Sequence, residues 1–184
     1  MRSLFIFVGL LCCAVACGCR NAPGSGNERG AWSIPFGKSY TYDDILVTRA
    51  VDGDTLKLEN GERVRLIGID TPEVHESQKL YKDSKKSGRD PAAIQRMGKK
   101  SWAVTRTLVE GKRVRLEFDA EKHDRYGRLL AYVFLKDGTF VNAEIIKAGY
   151  ASPMNYPPNV RYKEKFKGLY NEARENRRGL WKEE

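Results

Sequence analysis

The stretch VDGDTLKLENGERVRLIGIDTPE, residues 51–73, decides how this chain folds. Thr55 to Glu59 alternates apolar with polar and puts Leu56 and Leu58 on one face. The return segment, Arg63 to Ile67, alternates too and adds Val64 and Leu66 to that face. Between them, Asn60-Gly61 signals a tight hairpin of type I′, whose two central residues need positive φ. The pairing turns Arg63 and Arg65 away from the core. The same stretch holds four carboxylates, Asp52, Asp54, Asp70 and Glu73, in a chain whose net charge is +9.

Working outward, ILVTRAV before this hairpin reads as a strand. KRVRLEFD alternates through Val114, Leu116 and Phe118. RLLAYVFL follows, and Asp137-Gly138 forms a second tight turn. Hairpin-linked short strands in this number favour a small barrel. Ile94, Met97, Val104 and Leu108 fall on one face of a helix over roughly residues 91–110. VNAEIIKAG is a short helix with Asn142 expected at its N-cap and Gly149 as its stop. Tyr162, Phe166, Leu169 and Ala173 stripe a last helix. All three stripes read as core packing.

The folded domain is expected over residues 40–184, after a Gly/Ser/Asn/Pro-rich linker at 20–39. Residues 1–19 read as an export signal: Arg2, then an apolar run too short to span a bilayer, then AVA as a small-residue cleavage site. Cys17, directly after AVA, also resembles the lipid-attachment box of bacterial lipoproteins, although Ala14 stands where that box usually has leucine. Two outcomes stay open: a soluble exported protein, or one anchored to a membrane through a lipidated Cys17. The four cysteines all lie in this segment, which excludes a disulfide framework and a thiolate zinc site in the folded part. A pI near 9.4 points to a polyanionic partner such as nucleic acid.

DGDT lies where one strand turns into the next, and IDTPE follows the return strand. The hairpin brings both to one rim. Hard carboxylates there, Asp54 and Asp70, suit an oxygen-seeking cation such as Ca²⁺. Pro72 holds Thr71 extended, which aims the Thr71 carbonyl and the Glu73 carboxylate at the same place. DRYGR adds Arg128 after a Tyr-Gly turn. A cation, two arginines and a carboxylate are the parts of phosphodiester hydrolysis. Singly, each has a plainer reading: Asp52-Gly53-Asp54 as a turn, Asp70-Thr71-Pro72 as a strand end, Arg65 as a surface ion-pair partner. His75 and His123 lie in polar loops and read as exposed.

VDGDTLKLENGERVRLIGIDTPE, DRYGRLLAYVF, VNAEIIKAGYA and the closing RGLW resemble, in this order, the staphylococcal nuclease (thermonuclease) family over roughly residues 43–181. The resemblance implies an α+β fold, an OB-fold five-stranded β-barrel with three α-helices. It also implies a monomeric Ca²⁺-dependent endonuclease acting on DNA and RNA and leaving 3′-phosphates. Carried over by motif, Asp54, Asp70 and the Thr71 carbonyl would ligate calcium. Arg65, Glu73 and Arg128 would be catalytic, and Tyr126 and Tyr156 would bind the nucleotide. Met154 stands near a tyrosine of the family's type member. The lysine-rich segment at 74–97 is longer than in that member and reads either as a flap over substrate or as plain solvated surface. Competing readings are a non-catalytic nucleic-acid-binding module and a surface lipoprotein that merely binds DNA. The first should lack part of the set Asp54, Arg65, Asp70, Glu73 and Arg128, and all of these are present.

Overall fold

A computed structural model describes residues 41–183. The expected export signal and the whole of the expected linker lie outside the described residues. Strands β1 (Ile45–Asp52), β2 (Thr55–Leu58) and β3 (Arg63–Leu66) form an antiparallel meander. A two-residue strand, β4 (Ile69–Asp70), follows and leads to helices α1 (Gln78–Ser87) and α2 (Pro91–Val109). Then come β5 (Arg113–Glu117), β6 (Leu129–Leu135), α3 (Val141–Lys147), β7 (Ser152–Pro153) and α4 (Lys163–Glu175), with a closing 3₁₀ turn, Gly179–Glu183. The barrel closes in the order β1-β2-β3-β6-β5, with β5 back on β1 and β3 parallel to β6. This is the expected α+β barrel class. Among the described residues no helix is long and apolar enough to cross a membrane.

The alternation read from the sequence is the barrel's inside. Leu56, Leu58, Val64 and Leu66 are each at most 1% exposed, while Arg63 faces solvent. The hairpin turn is not type I′. Gly61 alone has positive φ, the Gly61 amide donates to Leu58 O, and the Leu58 amide donates to Glu62 O. This is a type I turn followed by a left-handed glycine bulge, so the loop is one residue longer than the Asn-Gly pair implies. Asp137-Gly138 repeats the pattern, with the glycine at positive φ and the Leu135 amide bonded to Thr139 O.

Three expectations about helices are corrected. Among the described residues there are four α-helices: the 74–97 segment carries α1, capped by Ser77, whose hydroxyl accepts from the Leu80 amide, and anchored by buried Leu80. Asn142 is not an N-cap. Phe140 holds that position, and Asn142 is buried, accepting from the Val133 amide and donating to Ile67 O. In α2 the buried stripe is Ile94, Gly98, Ser101, Thr105 and Val109, whereas Met97, Val104 and Leu108 are only half-buried. Small and hydroxyl side chains line this face because they let the helix come close enough to bond the backbone of neighbouring segments. Thr105 donates to Gly53 O at 2.7 Å, Ser101 to Tyr150 O at 2.7 Å, and the neighbouring Trp102 indole to Ala50 O at 2.9 Å. α4 packs as read, through Phe166 and Ala173.

Candidate active site

The meander sets Thr55 opposite Arg65, so the end of β1 and the middle of β3 share one rim. β4 pairs Asp70 with Ser152 of β7 and thereby fixes a carboxylate beside them. β3 also lies parallel to β6, whose first residue, Leu129, directly follows Arg128. A cavity of about 530 Å³ opens on this rim, lined by Asp54, Arg65, Asp70, Glu73, Arg128 and the tyrosines Tyr126 and Tyr156, among others.

Asp54 is 7% exposed, and both of its carboxylate oxygens accept hydrogen bonds. Its Oδ2 accepts from the Thr71 amide and the Thr71 hydroxyl, each at 3.1 Å, and its Oδ1 accepts from Thr55 Oγ1 at 3.1 Å. Gly53 is required here: a Cβ would lie 2.6 Å from Thr71 Oγ1. Arg65 spans the two carboxylates, one end 2.9 Å from Asp54 Oδ2 and the other 3.1 Å from Asp70 Oδ1. A planar guanidinium bridges two acids in this way where an ammonium would contact one point. Its second nitrogen also lies 4.0 Å from Met154 Sδ.

Sequence reading missed Lys79. Its ammonium lies 3.0 Å from Asp70 Oδ1, 3.3 Å from Thr71 O and 2.8 Å from Glu73 Oε1. The helix that delivers it was not expected, and within the lysine-rich KLYKDSKK nothing marks one lysine from its neighbours. Ser77 also donates to Glu73 Oε2, at 3.4 Å. Burial alone would lower the Lys79 pKa, but Asp70 and Glu73 outweigh it and hold the ammonium above the usual lysine range. Burial raises Asp70 despite the pull of Lys79 and Arg65. Asp52, half-buried at the same rim, is pushed up to about 6 by burial, with Asp54 and Glu73 adding to it.

Arg128 leaves a tight turn of its own. Gly127 has positive φ, and the Asp124 carboxylate accepts from the Tyr126 and Arg128 amides at 2.8 and 3.0 Å. The same carboxylate holds Arg128 Nε at 2.6 Å, which aims the rest of the guanidinium along the rim. Burial opposes ionisation of Asp124, but these bonds keep its pKa below the ordinary 3.8. Tyr126 is 69% exposed and Tyr156 40%, both line the cavity, and the Arg125 and Arg128 guanidinium groups lie over the Tyr126 ring, 4.7 and 5.6 Å from its centroid. His75 and His123 are exposed, as read.

The donor set suits a hard cation: two carboxylates and a backbone carbonyl, all oxygen. Among the described residues no group of three or more His, Cys, Asp or Glu side chains is assembled for a metal. What meets the carboxylates and the carbonyl instead is protein cation, Arg65 and Lys79, which shows that this cluster demands positive charge. A site of two side-chain oxygens and one carbonyl fits Ca²⁺, which completes its shell with water.

The chain is similar to known nucleases. The family model described as "Staphylococcal nuclease homologue" matches residues 63–183. The Thermonuclease of Staphylococcus intermedius is 37% identical over 153 residues, covering 80% of this chain and 83% of the relative. An uncharacterized protein of Methanocaldococcus jannaschii is 33% identical over 195 residues, covering 96% and 93%. Endonuclease YncB of Bacillus subtilis is 33% identical over 143 residues, covering 75% and 61%. With the matched segment spanning more than half the sequence and the barrel rim built as described, the chain belongs to the staphylococcal nuclease family.

Proposed function

We propose that this phosphodiester-hydrolysing nuclease is an exported, Ca²⁺-dependent endonuclease that cuts DNA and RNA and leaves 3′-phosphates. One observation carries the reading: Asp54, Arg65, Asp70, Glu73 and Arg128 line a single cavity together with two exposed tyrosines. Asp54, Asp70 and the Thr71 carbonyl would hold the calcium. Bound there, it would polarise a phosphoryl oxygen and draw off charge as the phosphate becomes five-coordinate.

The rest belongs to the chain's own side chains. Arg65 and Arg128 neutralise the phosphate oxygens from two directions; Arg128 has its Nε committed to Asp124, and among the described residues no hydrogen bond engages its other two nitrogens. Glu73 accepts a proton from, or orients, the attacking water. Tyr126 and Tyr156 stack bases without selecting among them, which suits a substrate range covering both nucleic acids. The basic chain draws the polyanion that the acidic pocket alone would repel.

The test is digestion of supercoiled plasmid and of a structured RNA, with Ca²⁺, with Mg²⁺ and with chelator. Cutting should need Ca²⁺, and Mg²⁺ should replace it poorly, because it demands tighter octahedral geometry and keeps its waters. Product ends should prime a polymerase only after phosphatase treatment. Full cutting in excess chelator, or ends that prime directly, would sink the assignment. Export, and the choice between a free and a lipidated Cys17, is read from the mass of the mature N-terminus. An intact Met1 on a cytoplasmic protein would contradict it.

A further inference from the structure

Lys79 stands on the first turn of α1, fixed from both sides in sequence by the Ser77 cap and the buried Leu80. An ammonium has three N–H donors and no acceptor. Lys79 has three oxygens within reach, Asp70 Oδ1, Thr71 O and Glu73 Oε1. Two of the three are oxygens assigned above to calcium, and the third belongs to the carboxylate assigned to the water. A cation bonded to Asp70 and Thr71 O would sit on the same oxygens that now surround the Lys79 nitrogen. Ammonium and metal therefore compete for one place.

We propose that Lys79 is a tethered internal cation that holds the metal position in the free enzyme and must withdraw when a divalent ion binds. The proposal rests on the metal assignment made under Proposed function. Its consequence is a fixed loss of metal affinity, since the ion binds only the fraction of molecules whose lysine has left. The Lys79 side chain is 38% exposed, so it has an open path outward when it leaves. Arg65 shares Asp70 Oδ1 with Lys79 and also bonds Asp54 Oδ2, but among the described residues Lys79 is the cation that meets Thr71 O and Glu73 Oε1, so Lys79 is the one that fills the carbonyl side of the site.

The experiment is a calcium titration by calorimetry on the full chain, comparing wild type, Lys79→Met and Lys79→Gln, with Lys82→Met as control. Lys82 is an exposed lysine of the same helix. Lys79→Met and Lys79→Gln should bind Ca²⁺ roughly tenfold or more tightly, because one positive charge leaves the site. They should also melt earlier than wild type without metal, and the gap should close in saturating Ca²⁺. Equal or weaker affinity in the Lys79 variants overturns the proposal. So does an equal gain in Lys82→Met, which would reveal only general charge. A second measurement needs no variant: acetylation of Lys79 in wild type, followed by mass spectrometry, should quicken when Ca²⁺ is added, and an unchanged rate overturns the proposal. If wild type and variants alike bind no Ca²⁺, the metal assignment has failed and this proposal falls with it. Binding by all of them without the predicted differences fails Lys79 alone.

Discussion

Replacing Gly98 with alanine sets two effects of known size against each other. In an isolated helix interior the change gains about 1 kcal/mol, because glycine is the poorer helix former. Gly98, however, lies on the α2 face where the Pro72–Glu73 backbone crosses. A Cβ there would stand 2.6 Å from the Glu73 carbonyl carbon and 2.7 Å from Pro72 O, with Glu73 O also in the way. Ordinary carbon contacts begin near ~3.5 Å, so the segment must retreat by roughly 1 Å. It cannot retreat freely: Thr71 is bonded to Asp54 twice, and Lys79 grips Glu73. Overpacking of this kind costs about 1–3 kcal/mol, and with three backbone atoms inside 3.0 Å the cost lies in the upper part of that range, about 2–3, which exceeds the propensity gain. We expect Gly98→Ala to lose roughly 1–2 kcal/mol in urea denaturation and up to about 10² in turnover of plasmid, because displacement of Glu73 by that distance spoils the approach to phosphate. Gly168→Ala is the internal control. That glycine lies within α4, and a Cβ there would meet nothing within 4 Å, so the variant should gain about 1 kcal/mol and cut normally. A Gly98→Ala protein stabilised like the control, with unchanged kcat, would refute the claim that α2 positions the Thr71–Glu73 segment.

Arg65→Lys keeps the charge but loses the bridge over Asp54 and Asp70; kcat should fall by about 10²–10³ with cooperative unfolding retained, as steady-state digestion and thermal melts would show. Asp124→Asn should cost roughly 1–2 kcal/mol and loosen Arg128. Because the Asp124 pKa lies below 3.8 in the folded chain, its contribution is fully present above that value and is lost as pH falls through the depressed one. Wild type should therefore lose stability on acidification by more than the asparagine variant does, measured by melts along a pH series. Asn142→Ala leaves the Val133 amide and the Ile67 carbonyl without their partner and should cost about 2–4 kcal/mol in chemical denaturation.

The barrel was legible because period-two alternation is a local signal, and Leu56, Leu58, Val64 and Leu66 obey it without exception. The rim was legible for a related reason: a hairpin places the residues flanking its strands together, whatever its turn type. α1 was not legible, since its one buried anchor, Leu80, stands in a run of lysines with no apolar stripe to betray a helix. The face of α2 was misread because hydrophobicity ranks Met97 and Leu108 above Gly98, Ser101 and Thr105. Contact there is made by close approach and hydroxyl bonds to the backbone of neighbouring segments, which a hydropathy pattern cannot register. Asn142 misled for the opposite reason. Its residue type suits a cap, but a buried amide that joins β6 to the chain after β3 is a tertiary fact with no local trace.

The parallel ladder between β3 and β6 pairs Val64 with Leu129 and Arg65 with Leu130. Two helices and two strands separate these partners along the chain, so this contact bears the loop-closure cost that the local meander avoids. Asp70 in turn waits for Ser152 to arrive before β4 has its partner. A growing polypeptide that has made only its first hairpins thus carries the carboxylates and Arg65, while Arg128 has no defined place. On the roles proposed above, such a chain is chemically silent toward the nucleic acid around it, including the messenger being translated. The ribosome must deliver residues beyond Pro153 before a competent cleft can exist, so the topology itself delays the hazard until synthesis is nearly over.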